Sequence, residues 1–152
     1  MPIDRAFIGY EAPPMTVDVE RGRLRFFAQA IGETSPVFSD LAAACAAGYR
    51  DLPAPPTFAY TLEMEGSRPF ALLERLGVAI ERVLHGEQRF AYHVPIVAGD
   101  TLTVRASIDD IYTRPPSPYE FIAVCSEVRN AAGEPVVTLF KTLVVRPESA
   151  AS

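Results

Sequence analysis

The sequence predicts an α+β layer fold in which a curved antiparallel sheet is wrapped round one central helix. Three observations carry this. Apolar residues recur at helical spacing up to about residue 78, and at strand spacing from Ala79 onward. The strand-patterned half is a meander whose strands are joined by turn-forming residues. One proline-led apolar segment in the first half suits a buried helix.

In Glu20 to Ile31, Leu24, Phe27, Ala28 and Ile31 share one helix face, and Arg21, Arg23 and Arg25 take the wet side. Gly32 stops that helix. Ser39 is the expected N-cap of a short helix, Asp40 to Ala47, with Asp40 complementing its dipole and Gly48 ending it. Tyr49 to Pro56 is stiff and extended, because residues before proline avoid the α region. Pro56 serves as first residue of a third helix, Thr57 to about Glu65, the best candidate for the wrapped one. Pro69 opens Phe70 to Leu76, which Gly77 closes.

Arg82 to His93 is one extended run. In Thr101 to Ile108, Leu102, Val104, Ala106 and Ile108 alternate with polar residues. Arg114 to Pro118 is a rigid loop, and Asn130 to Glu134 is a hairpin turn between strands Tyr119 to Arg129 and Val136 to Arg146. Both faces of Val136 to Val145 are apolar, which predicts a helix on one side and a partner subunit on the other. The first few residues and Glu148 to Ser152 are expected to fray.

At 152 residues the chain is read as one domain, 1–152, with a sizeable core. Composition is globular, with 49% hydrophobic and 22% charged residues. A net charge of −5 without a basic stripe excludes nucleic acid and anionic membranes as partners. No apolar run reaches the ~20 residues that span a bilayer. The N-terminus lacks an apolar leader, so the expected location is cytoplasmic. Cys45 and Cys125 read as two reduced core thiols. No metal-ligand spacing, phosphate-cradling loop or nucleophile elbow is present, so no metal or other cofactor is expected. Lys141 is the only lysine among fourteen basic residues, which points to codon bias more than to function.

Several pieces in order carry a resemblance. They are the Glu20 to Ile31 helix, Gly32 to Phe38, Ala47-Gly48-Tyr49, Ala54-Pro55-Pro56-Thr57-Phe58, Leu84-His85-Gly86-Glu87-Gln88, Tyr92 to Asp100, and Gly133-Glu134. Nearly the whole chain thereby resembles the MaoC-like dehydratases of the hot-dog fold, which include R-specific enoyl-CoA hydratases. It is most similar to their N-terminal-domain subgroup and to the non-catalytic subunit of mycobacterial-type (3R)-hydroxyacyl-ACP dehydratases.

The resemblance implies an Asp-x-Asn-Pro-x-His motif in an overhanging loop, whose carboxylate and imidazole add water across a double bond. Here Asp falls on Glu33, Asn on Ser35, Pro on Pro36 and His on Phe38. Phenylalanine exchanges no proton, and the extra methylene of Glu33 displaces its carboxylate by roughly 1 Å, an error that can cost about 100-fold. Active relatives also bind the thioester oxygen through a backbone N–H where this chain has Pro56, which has none; losing such a donor costs ~3 kcal/mol. Thr57 N–H is the available substitute.

The resemblance therefore implies an acyl-thioester-binding subunit, with the substrate carried on CoA or acyl carrier protein. Such a subunit stabilises a catalytic MaoC-like partner in a homodimer or heterodimer. Substrate contacts are expected from Pro36, Phe38, Pro56, Thr57, Phe58 and Arg114, the last reaching a phosphate. Three alternatives stay open. One is a self-sufficient homodimeric hydratase using Glu33, with His85 as a replacement imidazole. Another is a thioesterase using Glu63 or Glu65, although both are expected to face solvent or a partner. The third is a non-enzymatic acyl-CoA sensor or scaffold. His93 reads as structural, and Tyr49, Phe58, Phe90 and Phe121 as core or as tunnel lining.

Overall fold

A run of short helices precedes the long strands, as the change of periodicity predicts, but one short strand of the same sheet comes before them and was not expected. The computed structural model describes residues 2–66 and 68–148. Strand β1 (Met15–Asp18) is followed by helices α1 (Arg21–Ala30) and α2 (Leu41–Ala46). A 3-10 helix (Pro56–Met64), here termed the central helix, leads to α3 (Ala71–Arg75). Strands β2 (Val83–Tyr92), β3 (Thr101–Thr113), β4 (Glu120–Arg129) and β5 (Pro135–Val145) complete one antiparallel sheet in the order β1-β3-β4-β5-β2.

Leu24 and Ala28 of α1 are buried, and Phe27 packs against Phe58 of the central helix, ring edge to face at 5.5 Å. Ile31 departs from expectation: at the fraying end of the helix it lies half exposed. The cap of α2 is Asp40 rather than Ser39. The carboxylate of Asp40 accepts the N–H groups of Ala42 and Ala43, which the shorter serine side chain one residue earlier does not. The central helix is 3-10 rather than α. Pro55 and Pro56 remove two donors from its first turn, and Phe58 N–H closes onto Pro55 O.

Strand β3 runs five residues past its predicted end. A bulge between Ile108 and Asp110 shifts the alternation, so Ile111 rather than Asp110 enters the core. The N-terminus also corrects expectation. Ile3 is buried, its N–H donates to Glu120 (2.8 Å), and Asp4 caps a 3-10 turn at Arg5–Phe7. At the other end Glu148 pairs with Arg82, while 149–152 lie outside the described residues.

The main core lies between the inner sheet face and the helices, where Leu24, Leu52, Leu62, Leu102, Val137 and Leu139 are essentially inaccessible. A second cluster joins α3 to the far ends of β3, β4 and β5. Strand β5 is hydrogen-bonded on both sides, to β4 and β2. Both its edges are therefore used within the sheet. Among the described residues the free backbone edges of the sheet are those of β1 and β2. No helix among the described residues is long and apolar enough to cross a membrane.

Candidate functional site

The loop after α1 turns inward on itself. The Glu33 carboxylate accepts the N–H of Ser35 (2.9 Å), closing a turn that delivers Pro36 to the start of a one-turn 3-10 helix, Pro36–Phe38. Phe38 is half buried at its end. Glu33 thus caps its own loop, the role open to any short-range carboxylate.

Pro56 and Thr57 are exposed at the start of the central helix, whereas Phe58 is buried beneath them. Pro56 lines a cavity of about 260 Å³ together with Tyr92, Val94 and Ile96. Arg114 lies elsewhere. Its guanidinium covers the stacked rings of Tyr112 and Phe121 at 5.2 and 5.1 Å, and it donates to the Tyr112 hydroxyl (3.1 Å). Phe121 is thereby a surface platform, while Tyr49 and Phe90 pack against the main core. His93 meets the Thr138 hydroxyl at 3.3 Å.

A larger cavity, about 470 Å³, opens between the C-terminal half of the central helix and the inner face of the sheet. Tyr60, Glu63 and Met64 of the helix line it, facing His85 of β2, Val124 of β4 and Lys141 of β5. Glu33, Pro36, Phe38 and Arg114 line neither cavity. The structure therefore brings His85 to a wall that Glu33 does not share.

Glu63 overturns its expected exposure. It is 7% accessible, takes a hydrogen bond from the Ser126 hydroxyl, and pairs with Lys141 Nζ at 3.0 Å. It shares the inward stripe of the helix with Phe58, Ala59 and Leu62. Glu65, in contrast, turns outward to Arg23 of α1. The residue that sequence reading passed over is Lys141. It has the strand parity of Leu139 and Leu143, and a lone lysine on an apolar face is a signal for a buried carboxylate partner.

His85 reaches the cavity through a bulge in β2 between His85 and Glu87. Gly86 occupies the extra position: a Cβ there would lie 2.7 Å from Val144 Cγ2 and 3.1 Å from Thr142 O. The His85 ring meets the Tyr60 ring edge-on at 5.1 Å. Burial, and then the charge of Glu63, raise the Tyr60 hydroxyl above the usual tyrosine value. Next to Lys141 in register, the amide of Gln88 is buried with neither its N nor its O hydrogen-bonded among the described residues. Those residues contain no cluster suited to a metal ion.

Comparison with known proteins now places the chain. The family model for the FAS1-like dehydratase domain region matches residues 6–139. The chain belongs to this dehydratase-region family. It is 45% identical over 147 residues to a UPF0336 protein of Saccharopolyspora erythraea, covering 96% of this chain and 93% of that one. A UPF0336 protein of Streptomyces avermitilis is 40% identical, covering 96% and 97%. Among solved structures, the HadBC (3R-hydroxyacyl-ACP dehydratase) complex of Mycobacterium tuberculosis gives a TM-score of 0.79 at 27% identity, covering 91% of this chain and 96% of that chain. A MaoC-like dehydratase gives 0.82 at 32% identity over 92% of this chain and 42% of its own length. The sheet and its central helix are therefore a hot-dog fold, the architecture of the MaoC-like dehydratases.

Proposed function

We propose that the protein is the acyl-thioester-binding, non-catalytic subunit of an (R)-specific enoyl-thioester hydratase. Its catalytic hot-dog partner supplies the Asp and His. The reaction of the complex is the reversible hydration of a trans-2-enoyl thioester to the (R)-3-hydroxyacyl thioester, carried on CoA or acyl carrier protein. The observation that carries this reading is a mismatch between two parts of one molecule. A cavity of about 470 Å³, within the range of small-molecule sites, is intact. On the motif positions that the resemblance implies, the acid–base loop is not: Phe38 has no proton to exchange, and Glu33 accepts the N–H of Ser35 within its own loop. The free β2 edge supports pairing with a second hot-dog sheet. That two of the similar solved structures are named complexes, HadBC and ChsH1-ChsH2, agrees with it.

The decisive experiment gives the purified chain crotonyl-CoA, alone and with a hot-dog protein bearing Asp-x-Asn-Pro-x-His. The expected result is no turnover alone and turnover in the mixture. A rate above about 1 s⁻¹ for the chain alone, ordinary for an enzyme, would sink the reading. Release of free thiol from a saturated acyl-CoA would replace it with hydrolysis through Glu63, the carboxylate that faces the cavity.

A further inference from the structure

A chamber meant only for alkyl chain needs no charge in its wall, yet this one holds an ion pair. Met64, Leu72, Leu73, Val124 and Leu143 supply carbon surface, while Glu63 and Lys141 face each other across the gap between helix and sheet. Well-packed apolar residues at two such positions are often neutral or stabilising relative to a buried pair. Stability alone therefore does not account for the pair.

Its bonding is also unfinished. Lys141 carries three donors, and among the described residues it gives one hydrogen bond, to Glu63 Oε2. Glu63 accepts from Lys141 and Ser126, which leaves lone pairs on both oxygens. The Tyr60 hydroxyl and the His85 imidazole stand on the same wall with no hydrogen bond among the described residues. Unspent donors and acceptors of this kind, gathered on one side of an apolar cavity, are the features that orient a polar group of a ligand.

The pair is neutral as a unit, so a ligand anion meets Glu63 and a ligand cation meets Lys141. A neutral dipolar group escapes both penalties. Among these, a hydroxyl alone accepts from Lys141 and donates to Glu63 with the same atom. Position along the helix says which part of a thioester is read. Glu63 follows Pro56 by seven residues of 3-10 helix, on the order of 14 Å at about 2 Å per residue. With the thioester held at the helix start, which lines the smaller cavity and not this one, an acyl chain has to run along the helix to reach Glu63, so the hydroxyl lies well down the chain, remote from the carbons that react.

We infer that Glu63 and Lys141, with Tyr60 and His85 beside them, form a subsite that selects acyl thioesters carrying a hydroxyl group in the distal part of the chain over plain alkyl thioesters. The inference rests on reading the cavity as the acyl-binding site. A plain chain drives water from the remaining donors and acceptors of these groups and leaves those unmet, the situation in which sites built to hydrogen-bond a hydroxyl reject analogues that lack it.

The test is isothermal titration of the full-length protein with decanoyl-CoA and with positional isomers of hydroxydecanoyl-CoA. One isomer with a distal hydroxyl is expected to bind about tenfold or more tightly than decanoyl-CoA. In the double variant Glu63→Leu/Lys141→Met, that preference is expected to vanish while decanoyl-CoA binds at least as well. Equal binding of all thioesters by the wild type would overturn the subsite and leave the acyl-binding reading standing. Survival of the preference in the double variant would likewise overturn it. Failure of every thioester to bind would overturn both. The wild-type comparison decides even where the double variant does not fold.

Discussion

Lys141 Nζ donates to Glu63 Oε2 across 3.0 Å and so ties β5 to the helix the sheet encloses. Both side chains are largely removed from water, at 17% and 6% exposure. Lys141→Met leaves the Glu63 carboxylate buried beside Ser126 without its counter-charge and is expected to lower stability by about 3 kcal/mol. Adding Glu63→Leu removes the orphan and is expected to restore stability to within about 1 kcal/mol of wild type. Urea unfolding of the three proteins checks this; equal losses in the single and double variants would contradict it.

Gly86 and Gly22 are expected to respond oppositely to alanine. A Cβ at Gly86 collides with Val144 and crowds Thr142 O, so Gly86→Ala costs about 1–3 kcal/mol and disturbs the bulge that carries His85. Gly22 sits inside α1 with open space where a methyl group would stand, and Gly22→Ala gains roughly 0.4–1 kcal/mol. Thermal melts of the pair decide.

The Arg21 guanidinium clasps Asp51 at 2.6 Å, and Leu52 N–H adds a backbone bond. These hold the Asp51 carboxyl down to about 2, against an ordinary 3.8. A carboxyl lowered in the folded state stabilises it fully above the unfolded value and loses that contribution as pH falls toward the folded one. Stability is therefore expected to decline from about pH 4 to about pH 2, and Asp51→Asn to flatten the decline. Urea midpoints across that window measure it; an unchanged slope in the variant would remove Asp51 as a cause.

Cys45 and Cys125 should differ in reactivity. Cys45 is exposed at the surface of α2, contrary to its reading as a core thiol. Burial, reinforced by Asp109, Glu127 and Glu63, pushes the Cys125 thiol above its usual value, which starves it of thiolate. A neutral-pH thiol reagent is expected to modify one cysteine quickly and the second far more slowly. Peptide mapping that finds Cys125 modified first would refute this.

Much of the fold was legible because it rests on local pattern. Leu102, Val104 and Ile108 alternate plainly, and Leu24 and Ala28 mark the buried stripe of α1. The polar wall of the cavity was not legible. Glu63 reads like its neighbour Glu65 until the helix is placed against the sheet, whereupon one turns in to Lys141 and the other out to Arg23.

By itself, then, the order of residues determined the class of fold and the helix to be enclosed. Each depends on spacing or chemistry within a short segment. Only the folded chain decided which strands form the edges of the sheet, that Glu33 and His85 line no common wall, and that one carboxylate meets the sole lysine inside the chamber. Those outcomes join residues as far apart as 63 and 141, and sequence spacing carries no information about distances closed by packing.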